Sequence, residues 1–275
     1  MLFAIIFFLT ALIPCAIGSM SGIGGGIIIK PALDFIASCA FAWDIPGGGI
    51  LGTREINFLS GCTVLVMSAV SLLRSRKNGI KFDGGRGFAL AAGAVAGGVM
   101  GKMIFSFAVR TVNKNMVGAI QSSILILMTG CVILYIWKKD SIVKKNLRFL
   151  PSCAALGIAL GLVSSFLGIG GGPINIMVIS YFLSMDTKTS ALHSLFIIFL
   201  AQLANFIMTL AEGIPPAPLV GLAAMIPGAV IGATAGSFIV KLLRNEQIDK
   251  LFNILMMVVI ALSLYNLTNF VRGGI

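Results

Sequence analysis

The chain has 275 residues, of which 58% are hydrophobic and 11% are charged, and its mean hydropathy is +1.04. A soluble domain of this length could not bury so much apolar surface, so the composition excludes a soluble enzyme or receptor and predicts an all-α polytopic membrane protein. The net charge of +11 lies mostly in loops. Basic loops are the usual signal of membrane topology, so nucleic acid is not implied as a partner.

The predicted elements are ten apolar segments, and the first is a membrane helix rather than a signal peptide, because no basic region precedes it. In chain order they are 2–17, 27–43, 52–73, 87–109, 116–137, 151–167, 173–185, 189–211, 217–240 and 251–271. Six exceed the ~20 residues that cross a bilayer, and four shorter ones flank two glycine clusters. We therefore expect two helix–glycine–helix hairpins, over 2–43 and 151–185, that are re-entrant or strongly tilted.

The two glycine clusters share the string Gly-Ile-Gly-Gly-Gly, at 22–26 and 168–172. Glycines in an apolar run break the helix and leave backbone N–H and C=O groups that must face protein, water or a ligand. Each cluster opens a new helix, and Pro173 occupies the favoured first position. Free N–H groups at a positive helix end suit an anion. Close helix packing at a glycine notch is the alternative.

The loops indicate how the two halves are related. Basic loops near 74–86, 138–148 and 241–250 should be cytoplasmic, whereas the loop at 212–216 has no Lys or Arg and should be external. When the glycine clusters are aligned, Gly79 of a cytoplasmic loop matches Gly213 of the external one. The halves therefore predict two inverted-topology repeats, and both chain termini should be external.

Each repeat should consist of one hairpin and three transmembrane helices within one membrane domain. The repeats span 1–149 (helices 52–73, 87–109 and 116–137) and 150–275 (helices 189–211, 217–240 and 251–271). Glycines four residues apart begin at Gly93 and Gly228 in the two halves, and this spacing predicts a helix-packing face. We expect Lys102 and Lys241 to snorkel or to lie at the membrane interface.

Polar residues near the clusters are candidate ligands for an anion. Lys30 lies one turn beyond the first cluster in an apolar run, and a cation in the membrane indicates function by default. Asp34 four residues later makes a structural Lys–Asp pair the alternative. The second repeat has Ile176 at the place of Lys30 and Asn175 beside it. The predicted site is therefore asymmetric.

The first full crossing after each hairpin carries a polar stripe. It contains Asn57, Ser60, Ser68 and Ser71 in one repeat and Ser194, Gln202, Asn205 and Thr209 in the other. These groups either bind oxyanion oxygens or hold helices together. His193, the one histidine, could contact ligand, pack, or relay a proton.

The predicted substrate-binding residues are Gly24, Gly25, Gly26, Lys30, Asn57, Ser60, Gly170, Gly171, Gly172, Asn175, His193 and Ser194. No metal site, cofactor motif or catalytic group is predicted, so we do not expect an enzyme.

The chain resembles the sulfite exporter TauE/SafE family. The resemblance rests on Ser21-Gly22-Ile23-Gly24-Gly25-Gly26 with Pro31 downstream, on Leu167-Gly168-Ile169-Gly170-Gly171-Gly172-Pro173, on Ala191-Leu192-His193-Ser194-Leu195-Phe196, and on overall length. The first repeat departs from the pattern at Asn57-Phe58-Leu59-Ser60. The resemblance implies a polytopic permease of small anions, especially sulfur oxyanions and sulfonates, that is often an exporter.

Together these observations predict a secondary transporter of a small anion such as sulfite or sulfoacetate. It would lie in the inner (plasma) membrane and work by alternating access, with a coupled proton or sodium ion and the lipid bilayer as partners and a homodimer as an open possibility. The alternatives are an anion channel, a membrane enzyme or sulfur-relay partner, and a structural partner in a larger membrane complex.

Overall fold

The structure is a computed structural model that describes residues 2–39, 52–77, 82–138, 145–168, 171–215 and 219–272. Regular structure in these ranges is entirely helical and confirms the all-α fold class. The helices are α1 Leu2–Ser21, α2 Gly26–Cys39, α3 Thr53–Lys77, α4 Gly84–Thr111, α5 Lys114–Lys138, α6 Leu150–Leu167, α7 Gly172–Leu183, α8 Thr187–Glu212, α9 Leu219–Ile239 and α10 Asn245–Val271. They correspond one to one with the ten segments predicted from hydropathy.

Eight of these helices are long and apolar enough to cross a membrane, including the two that precede the glycine clusters. The prediction of short segments on both sides of each cluster is wrong for the first side. α1 continues to Ser21 rather than 17, and α6 has 18 residues. Helix persists up to the first glycine, because only there does φ become positive. α2 and α7, which follow the clusters, are short, with 14 and 12 residues.

Glycine is required at the breaks themselves. φ is +73° at Gly22, +81° at Gly24, +69° at Gly168 and +83° at Gly171. A side chain in this left-handed region costs about 1–2 kcal/mol per residue, whereas glycine adopts it freely. The chain can therefore reverse inside an apolar environment at both clusters.

Two seams of small residues hold the long helices together, one between α4 and α6 and one between α1 and α9. Gly93, Gly97 and Gly101 face the carbonyls of Ala154, Ile158 and Leu162, and Gly228, Gly232 and Gly236 face those of Phe8, Leu12 and Ala16. A Cβ at any of these six glycines would overlap the facing backbone, so the predicted packing face is confirmed. Because the numbers rise together along each seam, the paired helices run in the same direction.

α3 and α8, which are equivalent in the two halves, run in opposite directions. Asn57 near the start of α3 lines one cavity with Thr209 near the end of α8, and Ser75 near the end of α3 lines another with Lys188 at the start of α8. The seams also occupy equivalent places in the aligned halves. These directions agree with inverted topology, which stays a prediction.

The bundle has two ends. At one end, the last residues of α3, α7 and α9 meet the first residues of α4, α6, α8 and α10. We call it the basic end, because its side chains include Arg86, Lys145, Lys188 and Lys241. The second hairpin, α6–α7, starts and finishes there, since Arg86 donates to the carbonyl of Leu183 at 3.3 Å. The first hairpin, α1–α2, enters from the opposite end, where Asn266 of α10 donates to the carbonyl of Pro31.

Apolar clusters lie on both sides of the hairpin tips. One includes residues of α1, α2, α3, α8 and α9, and another includes residues of α5, α6, α7 and α10. Among the predicted features, Gly170, the loop at Gly79 and the last residues of the first hairpin, 40–43, lie outside the described residues. The division into repeats 1–149 and 150–275 stays a prediction.

Candidate functional site

The two glycine clusters meet inside the bundle. Gly24 packs on Ile198 near the middle of α8, where an added Cβ would lie 3.0 Å from the isoleucine Cδ1. Gly172 packs on the first cluster itself, with an added Cβ 3.2 Å from the carbonyl oxygen of Ile23 and 3.5 Å from the side chain of Ile27. The tips of the two hairpins are therefore in contact, and Ile23 of the first cluster makes the contact with Gly172.

The first tip presents a row of backbone donors. Gly22 N–H donates to the Gly18 carbonyl at 2.9 Å, and the N–H groups of Ile28 and Ile29 donate to the Gly25 carbonyl. Among the described residues, no backbone acceptor is found for the N–H groups of 23–27, which are buried. Buried N–H groups normally have a partner. Together with the positive end of α2, this row favours an anion or water at the tip.

The same glycines also serve close packing, which was the alternative interpretation. A Cβ at Gly25 would lie 3.1 Å from the Pro14 carbonyl oxygen on α1, and a Cβ at Gly22 would overlap Ala191 on α8. The packing role is therefore observed at Gly22 and Gly25, and it leaves the N–H groups available. Ser194 lies on the same face of α8 as Ala191, is fully buried, and has no hydrogen-bond partner for its hydroxyl.

The second tip is enclosed by α3 and α7. Ser60 donates its hydroxyl to the Gly168 carbonyl at 3.4 Å, and the carboxamide of Asn57 lies beside Gly168, with Cγ 2.7 Å from the position of an added Cβ. Asn175 lies beside Gly171. Both polar atoms of Asn57 and both of Asn175 are buried without a partner. The predicted residues Asn57, Ser60 and Asn175 are thus brought to one glycine turn.

A cavity of about 40 Å³ opens at this second tip, and we call it the Lys102 cavity. It is lined by polar or small residues from α3, α4, α6 and α8, namely Asn57, Gly61, Cys62, Lys102, Ser165, Gly168, Gln202, Asn205 and Thr209, and by Phe58, Phe105 and Phe206. One water needs about 10–15 Å³ by the same measure. The volume therefore suits a few waters or one small ion.

The Lys102 cavity offers hydrogen-bond donors without partners. The amide nitrogens of Asn57 and Gln202 are buried and unpaired. Asn205 donates to the hydroxyl of Ser165 at 2.8 Å, which fixes both side chains at the wall. The amide oxygens of Asn57 and Asn205 are also buried and unpaired, so the wall offers acceptors as well as donors. An oxyanion accepts from amide N–H groups.

Lys102 supplies the positive charge. No carboxylate of the described residues forms an ion pair with it. Glu212 at the end of α8 instead accepts a hydrogen bond from Ser106, and the Lys102 ammonium lies 5.9 Å from the centre of the Phe105 ring. The sequence predicts that Lys102 snorkels or lies at the membrane interface, whereas the structure places it in the lining of this cavity. Its signal was a cation in the middle of an apolar helix whose counterpart in the other repeat is Ser237.

An equivalent cavity lies at the first tip, towards the basic end. This Leu195 cavity measures about 20 Å³ and is lined by Ser19, Ser75, Ala191, Leu192, Leu195 and Val240, among others. In the aligned halves these residues match Ser165, Thr209, Asn57, Phe58, Gly61 and Phe105 of the Lys102 cavity. The predicted alignment therefore pairs the two cavities. Each has a lysine in its lining, Lys102 in one and Lys188 in the other, whereas carboxamides line the Lys102 cavity and not, among the described residues, the Leu195 cavity.

Lys30 lies apart from the tips. Its ammonium is 2.9 Å from Asp34 Oδ2, and both side chains are almost fully buried, so the ion pair that was the alternative interpretation is observed. The pair lines a small cavity with residues of α5 and α10. A contribution of Lys30 to anion binding stays a prediction.

His193 lies at the basic end rather than at a tip. Its ring stacks on Phe82 with centroids 4.6 Å apart, its Nδ1 is 2.9 Å from the Thr189 carbonyl oxygen, and its Nε2 accepts from the Asp83 N–H at 3.2 Å. Because a carbonyl oxygen only accepts, the contact to Thr189 calls for a proton on Nδ1; Nε2 also lies 3.4 Å from the Asp83 carbonyl oxygen. These contacts fit the packing interpretation. A ligand contact of His193 stays a prediction.

Asp83 caps α4 next to this histidine. Its carboxylate accepts from the backbone N–H of Arg86 at 3.2 Å and from the Arg86 guanidinium at 2.7 Å. Burial raises the pKa of the Asp83 carboxyl, but these hydrogen bonds and the guanidinium charge together hold the pKa below its usual value. Arg86 also reaches Asn146 and the Leu183 carbonyl, so the cap ties α4 to the second hairpin.

Comparison with known proteins decides the family. The family model described as sulfite exporter TauE/SafE matches residues 6–264. The chain belongs to the TauE/SafE family. It is similar to the probable membrane transporter protein YunE of Bacillus subtilis (strain 168), with 23% identity over 275 residues that cover 93% of this chain and 95% of YunE. No solved structure gives a significant match. This TauE/SafE protein is accordingly a multi-pass membrane transporter, as the resemblance predicted.

Proposed function

We propose that this TauE/SafE transporter exports a small anion, namely sulfite, sulfoacetate or another sulfur oxyanion or organosulfonate, and that the anion binds in the Lys102 cavity. The description of the family supports the substrate class, and the donors of the cavity support an anion. A further component of the proposal is that the membrane is the inner (plasma) membrane, with the basic end cytoplasmic and both termini external.

The observation that carries the proposal is the set of groups in the Lys102 cavity. An ammonium without an ion-pair partner faces the same space as the unpaired amide nitrogens of Asn57 and Gln202. Charge-assisted hydrogen bonds to an oxyanion are about twice as strong as neutral ones. An anion would therefore satisfy three groups that the folded chain leaves open.

The glycine tips would form the rest of the path. After the cavity, the anion would pass the contact between Gly172 and Ile23. It would then reach the N–H groups of 23–27, for which the described residues offer no backbone acceptor, with the unpaired hydroxyl of Ser194 nearby. Gly24–Gly26 and Gly171 would then contribute backbone groups, and Asn175 would orient the substrate. Oriented backbone amides bind anions without adding a fixed charge.

Alternating access follows from the two equivalent cavities. In this structure the polar Lys102 cavity is the larger one, and the Leu195 cavity is about half its volume. If the repeats are inverted, rocking one against the other would exchange the two conformations around the overlapping tips. Because the basic end is proposed to be cytoplasmic, the Lys102 cavity, which lies nearer the other end of the bundle, would face the external side in this state.

The test is tracer exchange in liposomes that contain the purified protein. We expect saturable exchange of labelled sulfite or sulfoacetate. The variant Lys102→Met should lower the exchange rate about ten- to hundredfold, the loss expected for one hydrogen bond to a charged group. Lys241→Met is the matched control, because Lys241 is exposed beyond α9 and lines neither cavity.

Each outcome bears on a different part of the proposal. Normal exchange by Lys102→Met would move the anion site elsewhere but leave the function standing. Current that does not saturate with anion concentration would favour the channel alternative. The absence of exchange with any sulfur oxyanion or sulfonate by the wild-type protein would contradict the proposed function.

A further inference from the structure

The chamber around Lys30 and Asp34 has a different chemistry from the Lys102 cavity. It measures about 10 Å³, lies between α2, α5 and α10, and is lined by Lys30, Asp34, Gln121, Ser122, Ser263 and Asn266, with Pro31 and two leucines. Its volume is that of one water-sized object. We call it the Asp34 chamber.

Two carboxamides that line the chamber have their amide nitrogens bonded to backbone carbonyls. Gln121 donates its amide nitrogen to the Phe166 carbonyl at 2.6 Å, and Asn266 donates its amide nitrogen to the Pro31 carbonyl at 2.9 Å. These bonds fix which end of each carboxamide is nitrogen, because a carbonyl oxygen accepts only from a donor. Gln121 Oε1 and Asn266 Oδ1 are left buried and without a partner.

All unpaired atoms of the chamber are oxygens. Besides the two amide oxygens they are Asp34 Oδ1 and Ser263 Oγ, and the four residues are each at least 98% buried. A buried polar atom without a partner is costly, and four such atoms around one water-sized space indicate that the chamber is occupied. A water has two hydrogens to give, so it pairs with all three acceptor-only oxygens only when the Ser263 hydroxyl donates to one of them. A cation would contact all four oxygens without that condition. An anion would be repelled.

We propose that the Asp34 chamber binds one small monovalent cation, with sodium as the probe. Hard cations take oxygen ligands, namely carboxylate, amide carbonyl and hydroxyl groups, which is the set present here. The Lys30 ammonium donates to Asp34 Oδ2 at 2.9 Å, so the cation would bind to the other carboxylate oxygen, Asp34 Oδ1. That the bound cation couples to anion transport rests on the proposed function; the binding site itself does not.

Charge makes Lys30 a competitor of the cation. The Lys30–Asp34 pair is neutral, and no other charged residue lines the chamber among the described residues. A bound cation adds one positive charge. The amide oxygens of Gln121 and Asn266, which are the negative ends of the amide dipoles, stabilise that charge. Removal of the Lys30 charge should therefore strengthen cation binding, whereas removal of the Asp34 charge should abolish it.

The test is the melting temperature of the full-length protein in detergent, measured in sodium, potassium or choline chloride at equal ionic strength. Ligands that bind the folded state raise the melting temperature. We expect sodium to raise it and choline to have no effect. Ser263→Ala should weaken the apparent sodium affinity about tenfold or more. The matched control, Ser123→Ala, removes an exposed hydroxyl of α5 outside the chamber and should change nothing.

Lys30→Met gives the sharpest readout. It leaves Asp34 buried without its partner, so the variant should be less stable than wild type in choline and should recover in sodium, with a higher sodium affinity. If Lys30→Met does not fold, the comparison of sodium affinity between Ser263→Ala and Ser123→Ala still tests the proposal. The proposal is overturned if sodium and choline give equal melting temperatures, or if Ser263→Ala keeps the wild-type sodium affinity. Sulfite-induced stabilisation in choline is measured in parallel, and its presence would separate failure of this site from failure of the anion site.

Discussion

The Lys102 cavity and the Leu195 cavity occupy equivalent places at the two hairpin tips, yet they differ in volume and polarity. The first is about 40 Å³ and is lined by Lys102 and three carboxamides. The second is about 20 Å³ and is lined by apolar residues such as Leu192 and Leu195 together with Ser19, Ser75, Thr187 and Lys188. The backbone framework is shared, since the same seams and glycine turns build both. Side chains therefore account for the carboxamides of the first cavity and for the smaller volume of the second.

The difference can be followed residue by residue. Asn57 corresponds to Ala191, so the carboxamide on one side is replaced by a methyl group that lets Gly22 approach α8 closely. Lys102 corresponds to Ser237, and the cation of the Leu195 cavity is instead Lys188 at the start of α8. Under the proposed inverted repeats, the two hairpin tips would act as gates, and the carboxamides of one cavity would provide the binding site.

The largest expected effect comes from the two equivalent turn glycines. Gly22→Ala and Gly168→Ala each force a side chain into positive φ, at a cost of about 1–2 kcal/mol. Gly22→Ala adds an overlap with the backbone of Ala191, and we expect a total loss of stability of about 3 kcal/mol or more. Gly168→Ala overlaps only the Asn57 side chain, so its loss should be smaller. Thermal unfolding in detergent measures both.

A second substitution at each site separates these causes. Asn57→Ala should recover about 1 kcal/mol of the Gly168→Ala loss, because the overlapping carboxamide is gone. Ala191→Gly should recover little of the Gly22→Ala loss, since the Cα and carbonyl of residue 191 remain. Equal recovery of stability in the two double-mutant cycles would contradict the different packing that the structure shows at Gly22 and Gly168.

An intermediate effect is expected for Gln202→Leu in the Lys102 cavity. The Gln202 amide nitrogen is buried and unpaired, so its removal should raise the free energy of unfolding by about 1 kcal/mol in the absence of anion. The same change should reduce the stabilisation by added sulfite, because one donor is lost. Ser68→Ala at the equivalent place of α3 is the control. A Gln202→Leu variant that keeps the full sulfite response would remove Gln202 from the site.

The smallest effect concerns the Asp83 cap at the basic end. The pKa of Asp83 is lowered in the folded state, so its stabilisation is complete above about pH 4 and is lost as the pH falls through the lowered pKa. Asn is also a good N-cap but takes up no proton, so Asp83→Asn should flatten the acid side of the melting-temperature profile. The cap is partly exposed, and the effect should stay below about 1 kcal/mol. Parallel profiles for variant and wild type would contradict it.

Local patterns in the sequence predicted much of this architecture. Hydropathy located the helices, the repeated string located both breaks, and the Gly93 and Gly228 series predicted the seams. The possible pairing of Lys30 with Asp34 was also foreseen, because residues four apart meet on one helix face. These features depend on neighbours in the chain or on one helix surface.

The Lys102 cavity could not be predicted in the same way. Whether Lys102 faces lipid or a cavity depends on how α4 packs against α6 and α8, and the spacing of charges along one helix does not contain that information. Gln202 and Asn205 were visible as a polar stripe, but a stripe of this kind serves helix packing as readily as binding. Their significance comes from the Lys102 charge and the second glycine tip, which tertiary packing places beside them.

The central claim is that the anion binds in the Lys102 cavity while the Leu195 cavity is closed. Thr209→Cys and Ser75→Cys, made separately after replacement of all five native cysteines, put a thiol at equivalent places in the two cavities. Labelling rates with a membrane-impermeant maleimide are then measured from each side of sealed vesicles. The account predicts that Thr209→Cys is labelled from the external side and is slowed by saturating sulfite, and that Ser75→Cys is labelled slowly from the other side in the absence of anion. Rates at Thr209→Cys that do not respond to sulfite or any related anion would contradict it.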